Sequence, residues 1–322
     1  MEFLLNDIHT DLAQTVDGII ERAGGISVAR AWAESGDTDG ALSVYRQLAE
    51  AGITGLLVPD DVGGSGAGAT EMVMALEHVG RYALPGPATE TLAVVPTVLA
   101  AASASNELEA VLAGTPATAA LPPATPRAAN PDVADAYLLA DGAVSTATAG
   151  ELLDTVDPTR RVAVLTADRG LGDVDTAAAA DIGALATAAQ LLGLGSAMLD
   201  LAADYAKSRK QFGREIGSFQ AVKHHLADVA VAVEMARPLV HGAAVGIDGQ
   251  APEGTVVSRD VAAAKVAAGD AAYLASRRAL QVLGAIGYTA EHDLSLYLTK
   301  TRALLTAWGT PAYHRARILE SL

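Results

Sequence analysis

The sequence predicts a mainly α fold in three parts: an N-terminal helical domain, a small middle β domain and a C-terminal helical bundle. Three observations carry that prediction. Hydrophobic residues make up 51% of the 322 residues and aromatics only 4%, so alanine, leucine and valine must build the interior. Alanine loses no side-chain entropy on entering a helix. Pro116, Pro122, Pro123, Pro126 and Pro131 crowd one stretch and exclude long helices there. Beyond it, Phe219, Val222, Leu226, Val229, Ala230 and Val233 recur at three- and four-residue spacing, one apolar stripe along a helix.

Residues 1–113 read as helices separated by turns. Leu42, Tyr45, Leu48 and Ala49 fall at helical spacing, and Gly52 ends that helix. The glycine-rich run from Val58 through Pro59, Asp60 and Asp61 to Gly66 is a loop. A second helix starts near Ala69 and Thr70, carries Met72, Val73, Leu76 and Val79 on one side, and stops near Gly80. Residues 114–178 form the β domain. Apolar runs at residues 137–139 and 162–165 read as strands, and Asp141 with Gly142 forms a hairpin turn. Residues 179–322 return to long helices, interrupted at residues 246–252, with an Ala-rich helix from about Thr255 to Leu283.

Composition removes several classes of function. A formal charge of −16 argues against nucleic-acid binding, which needs clustered Lys and Arg to displace phosphate counterions. Without cysteine there are no disulfides, thiolate metal sites or cysteine nucleophiles. The apolar tract 184–203 is broken by Gln190 and Asp200, so it reads as a buried helix and no membrane span. Met1 to Asp7 has no basic region ahead of an apolar stretch, so no signal peptide is expected and a cytoplasmic location is the default.

The glycines at 63–68 lack the Gly-Lys-Ser/Thr ending of a phosphate loop, and Gly193 and Gly195 lie inside a helical stretch with no strand before them. Turn flexibility and close helix packing account for both. His224 and His225 are adjacent and point to different faces of a helix, so no metal site is expected. The segment from Tyr205 to Gln220 is different. A helix ends, Arg209, Phe212 and a turn at Gly213 follow, and a new helix starts at about Ser218 with Gln220 in its first turn. A guanidinium, free backbone N–H groups and an amide around one concavity suit a pyrophosphate, although an interhelical salt bridge at Arg209 would account for it equally well.

That segment resembles the Arg-x-x-Phe-Gly…Gln motif of the acyl-CoA dehydrogenase family. Residues 58–66, followed by Glu77, Gly80 and Arg81, are similar to the family's N-terminal pattern, and residues 281–291, with Gln281, Gly284, Gly287, Tyr288 and Glu291, to its C-terminal one. The three matches occur in the family's order and span both helical regions. The resemblance implies an acyl-CoA dehydrogenase-like fold whose C-terminal four-helix bundle drives dimer and tetramer assembly. It also implies FAD, which takes a hydride from the acyl-CoA while a base takes a proton.

Carried over residue by residue, Arg209, Gln211, Phe212, Ile216, Phe219 and Gln220 are expected to face the pyrophosphate and adenine side of an FAD. Gln281, Gly284 and Ala285 are expected to line its ADP half, Ala285 standing where a second glycine is usual. In this family such residues reach across a dimer interface to a flavin seated in the neighbour.

The catalytic glutamate is missing. It normally precedes a Gly-Thr pair, here Gly309 and Thr310, and that position holds Trp308. An indole cannot accept a proton from carbon. In some relatives the base lies 26 residues before the motif arginine, which here is Gly183, with Asp181 nearby. The family's flavin-bracketing motifs are also absent from the shortened β domain.

The resemblance therefore implies the base-lacking subunit of an actinobacterial α2β2 heterotetramer. A catalytic acyl-CoA dehydrogenase partner would hold the acyl-CoA, for which the resemblance suggests a steroid-derived CoA ester, and an electron-transfer flavoprotein or similar acceptor would receive the electrons. Asp157-Pro158-Thr159-Arg160 also resembles such proteins. Two alternatives are a structural pseudo-subunit that binds no flavin and a self-sufficient enzyme using Asp181 or Glu291 as base.

Overall fold

The computed structural model describes residues 6–321; the leader expectation at Met1 to Leu5 lies outside the described residues. Asn6 caps the first helix, α1 (Asp7–Arg22), accepting from the N–H groups of Ile8 and His9 while the His9 ring accepts from Asn6 N. Next come α2 (Ile26–Ser35) and α3 (Asp39–Glu50), and Gly52 turns the chain out of α3 at φ 78°. The loop after α3 holds two short 3-10 turns, Ile53–Gly55 and Asp60–Val62. The next helix, α4 (Ala69–Arg81), is capped from far along the chain. The Asp248 carboxylate accepts from the N–H groups of Ala69 (2.6 Å) and Thr70 (3.2 Å) and from the Thr70 hydroxyl (2.9 Å). A π turn, Glu90–Val94, runs into α5 (Val95–Ala101), and α6 (Ser105–Leu112) follows.

The strands are β1 (Ala117–Ala120), β2 (Ala128–Ala129), β3 (Asp135–Ala140), β4 (Ala143–Ala149), β5 (Leu153–Asp154), β6 (Arg161–Ala163) and β7 (Leu165–Asp173). They form a four-stranded sheet in the order β1-β3-β4-β7, with β1 and β3 parallel, and a three-stranded sheet in the order β2-β6-β5. Asp141 (φ 52°) and Gly142 (φ 77°) make the two-residue turn between β3 and β4. The run at 162–165 is not one strand. It straddles the end of β6 and the start of β7, which belong to different sheets. Ala163 and Leu165 are buried whereas Val164 between them is exposed, and only long-range pairing separates the two strands.

The 33-residue helix α7 (Thr176–Ser208) is the central post of the molecule, buried along most of its length. It crosses α4 at near backbone contact. A β-carbon at Gly193 would overlap the Glu77 carbonyl, which is the packing role expected of that glycine, and one at Gly80 would overlap Gln190. A two-stranded hairpin, β8 (Lys210–Gln211) and β9 (Arg214–Glu215), leads to α8 (Gln220–Ile247). This helix begins at Gln220, after a 3-10 turn at Ile216–Ser218. Along the expected stripe Val229 and Val233 are buried, whereas Phe219, Val222 and Leu226 are half-covered. Then follow α9 (Val257–Leu283), α10 (Leu294–Leu304) and α11 (Pro311–Glu320). Both α7 and α8 are long and apolar enough to cross a membrane by length and composition, but α7 is enclosed by the protein's own core.

Candidate functional site

The junction between α7 and α8 gathers six of the sequence-predicted residues. Arg209 ends α7, its N–H donating to Tyr205 O at 2.9 Å. The chain then reverses through Phe212 (φ 51°) and Gly213 (φ 78°), a turn in which both residues are left-handed, and Ile216 N closes the hairpin on Arg209 O at 2.8 Å. Holding a phenylalanine in that conformation is costly, and the ring it projects is 91% exposed. The Phe212 and Phe219 rings meet edge to face at 6.2 Å, and the Arg214 guanidinium sits 4.1 Å above Phe219.

Phe219 is the cap residue of α8, and the first N–H that reaches back to it is that of Lys223. The N–H groups of Gln220, Ala221 and Val222 therefore point out of the helix end. Among the described residues no carboxylate pairs with Arg209, so the alternative of an interhelical salt bridge is not what the structure adopts. A free guanidinium, open helix N–H groups, the exposed amides of Gln211 and Gln220 and an exposed aromatic ring together fit a polyphosphate joined to an aromatic base. Gln281 and Ala285 lie exposed at the far end of α9, which Gly284 closes at φ 64°, ψ −135°. That conformation needs glycine at 284. No hydrogen bond joins this turn to the Arg209 hairpin among the described residues.

The two positions expected from the sequence to hold a base, 183 and 308, are closed. Trp308, at φ 53° and 2% exposed, packs on α7 at Gly183, where a β-carbon would overlap the indole. The indole Nε1 donates to Glu90 Oε1 at 2.9 Å. Glu90, also 2% exposed, lies in the π turn ahead of α5 and is the carboxylate that the sequence reading missed. Its signal was an acid two residues ahead of the apolar run at residues 92–96. His314 Nε2 donates to the Trp308 carbonyl at 2.9 Å, and burial depresses the imidazole pKa to about 4. Burial raises the Asp181 carboxyl, yet its Oδ1 lies 2.7 Å from the Arg317 guanidinium, so it is held in an ion pair. Glu291 stands exposed in the turn before α10.

The Asp157 to Arg160 turn is anchored from the side. Asp157 Oδ2 and Lys300 Nζ form a buried ion pair at 3.1 Å, and Lys300 also donates to Thr159 Oγ1 at 3.1 Å. Burial opposes ionisation of Asp157, but the Lys300 ammonium and the Thr159 donors outweigh it and hold the carboxyl below its usual range.

Comparison with known proteins gives concordant results. Residues 6–114 match the family model of the acyl-CoA dehydrogenase N-terminal domain, and residues 169–322 that of the C-terminal domain. The chain is 32% identical over 314 residues to the acyl-CoA dehydrogenase IpdE2 of Mycobacterium tuberculosis, covering 96% of this chain and 92% of that one. The IpdE2 of Mycolicibacterium smegmatis is 31% identical, covering 95% and 96%. Among solved structures, the Tcur3481-Tcur3483 steroid ACAD G363A variant superposes with a TM-score of 0.81 at 24% identity, covering 98% of this chain and 97% of that one. The ChsE4-ChsE5 complex from Mycobacterium tuberculosis gives 0.82 at 22%, covering 99% and 98%; at such identities the likeness is one of fold.

Proposed function

The chain belongs to the acyl-CoA dehydrogenase family, and we propose that it is the non-catalytic subunit of a heteromeric, FAD-dependent member of it. The observation that carries this reading is the Trp308 indole packed on Gly183. One side chain fills both places where the base would stand, and no carboxylate is free there to take a proton from carbon. Over the same chain the Arg209 hairpin stays open and unpaired. One half of a shared site is closed and the other is presented outward.

In the proposed complex a catalytic partner supplies the glutamate, the seat for the flavin ring and the acyl-CoA pocket. Bound FAD supplies the hydride acceptor for α,β-dehydrogenation. This chain's Arg209 neutralises the pyrophosphate, the N–H groups at the start of α8 and the Gln220 amide donate to its oxygens, and Phe212 with Phe219 covers the adenine side. Gln281, Gly284 and Ala285 line the ADP half. A steroid-derived CoA ester as substrate is supported by the name of the Tcur3481-Tcur3483 relative, and assembly from two kinds of chain by that of the ChsE4-ChsE5 complex. An electron-transfer flavoprotein or similar acceptor would reoxidise the flavin. A self-sufficient enzyme is disfavoured, because Asp181 is committed to Arg317 and Glu291 lies on an exposed turn.

Purification of the chain alone and with a co-expressed glutamate-bearing partner tests the proposal. The isolated chain is expected to carry little flavin and to lack dehydrogenase activity. The complex is expected to hold one FAD for each pair of unlike chains, read from flavin absorbance against protein. Stoichiometric flavin with turnover in the isolated chain, or one flavin per chain in the complex, overturns it.

A further inference from the structure

A cleft of about 570 Å³ opens between the small three-stranded sheet and the α10–α11 corner. Its lining includes Arg127, Arg160 and Arg302 and, among the described residues, contains no aspartate or glutamate, in a chain with 38 acidic residues and 22 basic ones. Among the described residues none of these three guanidiniums has a carboxylate partner, although other arginines, such as Arg237 and Arg317, are paired. The cleft therefore concentrates positive charge where composition predicts the reverse. A second observation points into the same space. Thr125 lines the cleft, is only 6% exposed, and its hydroxyl has no hydrogen-bond partner. An unsatisfied buried hydroxyl is costly unless something else fills its valence.

The cleft is also built to hold its shape. Arg160 is fixed through its backbone, its N–H donating to Asp157 O at 3.0 Å and its carbonyl accepting from the Thr155 hydroxyl at 2.8 Å. The buried Asp157–Lys300 ion pair ties that turn to α10, which carries Arg302. Thr125 is clamped by two backbone hydrogen bonds to Leu121, each 2.8 Å. Between the cationic groups the wall is apolar, with Pro126, Val162, Ala303 and Ala307. Next to Ala307 the buried Trp308 fills the interior, so the occupant must be compact.

We infer that this cleft binds a small organic anion, a carboxylate or phosphate group on a compact apolar body, with Arg127, Arg160, Arg302 and the Thr125 hydroxyl holding the anionic end. Clustered guanidiniums beside an apolar wall recognise that combination and reject a neutral molecule of the same shape.

Calorimetric titration of the full chain with cyclohexanecarboxylate, cyclohexyl phosphate and cyclohexylmethanol tests this. At least one of the anions is expected to bind at one site per chain, no less than tenfold more tightly than the alcohol, and their ranking separates a carboxylate source from a phosphate one. Arg160→Ala and Arg302→Ala are each expected to weaken that binding roughly tenfold to a hundredfold. Should Arg160→Ala fail to fold, Arg127→Ala and Arg302→Ala, which alter exposed side chains, carry the test. Equal affinity for the three probes, no binding of any, or anion binding indifferent to the arginines overturns the inference. If that happens while the complex still holds one FAD per pair, this site alone is refuted. FAD bound by the isolated chain and lost in Arg160→Ala would refute both this site and the half-site reading.

Discussion

Trp308 packs onto α7 at Gly183 so closely that the glycine has no room for a β-carbon, and its indole N–H is satisfied by Glu90. These are the two positions at which the resemblance to the family implies a base. The tryptophan requires the glycine. The indole fits because position 183 is glycine, and a side chain at 183 would collide with the ring.

Gly183→Ala is therefore expected to destabilise the chain. Alanine gains about 0.5–1 kcal/mol of helix propensity there, but it overpacks a rigid buried ring, and overpacking costs about 1–3 kcal/mol or more. Trp308→Leu in the same chain should relieve the clash, so a double-mutant cycle in urea is expected to show coupling between the two sites. Additive effects would mean that the indole moves aside.

Trp308→Glu should not create a second active site. It places a carboxylate beside buried Glu90, and a base without a flavin ring against the acyl chain has no route for hydride. The measurement is turnover in a complex whose partner glutamate has been replaced by glutamine. Recovered turnover would show that this chain seats a flavin of its own.

Arg209→Ala is expected to weaken flavin retention in the complex. A charge-assisted contact to phosphate is worth about 1.5–3 kcal/mol, roughly tenfold to a hundredfold in affinity. The loss should appear as FAD dissociating on dilution and gel filtration. Unchanged flavin content would remove Arg209 from the site.

His314 should make stability fall on acidification. Its folded pKa of about 4 lies below the ordinary histidine value of 6.5, so the unfolded chain binds the extra proton first. The contribution is present above about pH 6.5, is lost as pH falls towards 4, and amounts to at most about 3 kcal/mol. Protonation would put an N–H on buried Nδ1, which has no partner. In His314→Gln, whose amide can still donate to the Trp308 carbonyl, denaturation midpoints across this range should depend less on pH.

Lys300→Met should cost about 3–5 kcal/mol, because it leaves the Asp157 carboxylate buried and unpaired. Replacing both members, Asp157→Leu with Lys300→Met, should recover part of that loss in chemical denaturation. A single variant as stable as the parent would mean that water reaches Asp157.

Much of the fold was legible because it rests on local rules. The end of α3 at Gly52, the start of α4 at Ala69 and the end of α9 at Leu283 follow from periodicity and glycine punctuation within a few residues of each boundary. The Asp141-Gly142 turn follows from its residue types. The division of residues 162–165 between two sheets was not legible, since each strand takes its identity from a distant partner. Nor was the Asp248 cap on α4, which joins residues far apart in the chain.

At the site, the sequence by itself determined the order and spacing of Arg209, Phe212 and Gln220, and the lack of a carboxylate at 183 and 308. Those are statements about which residue types stand at which intervals, and the chain carries them whether folded or not. Only the tertiary structure decided that the Trp308 indole packs on Gly183, that Glu90 satisfies its N–H, and that three arginines with no acidic partner among the described residues share one cleft. Burial, overlap and hydrogen-bond satisfaction belong to the packed arrangement of segments, and no local pattern of residues records which distant surfaces will meet.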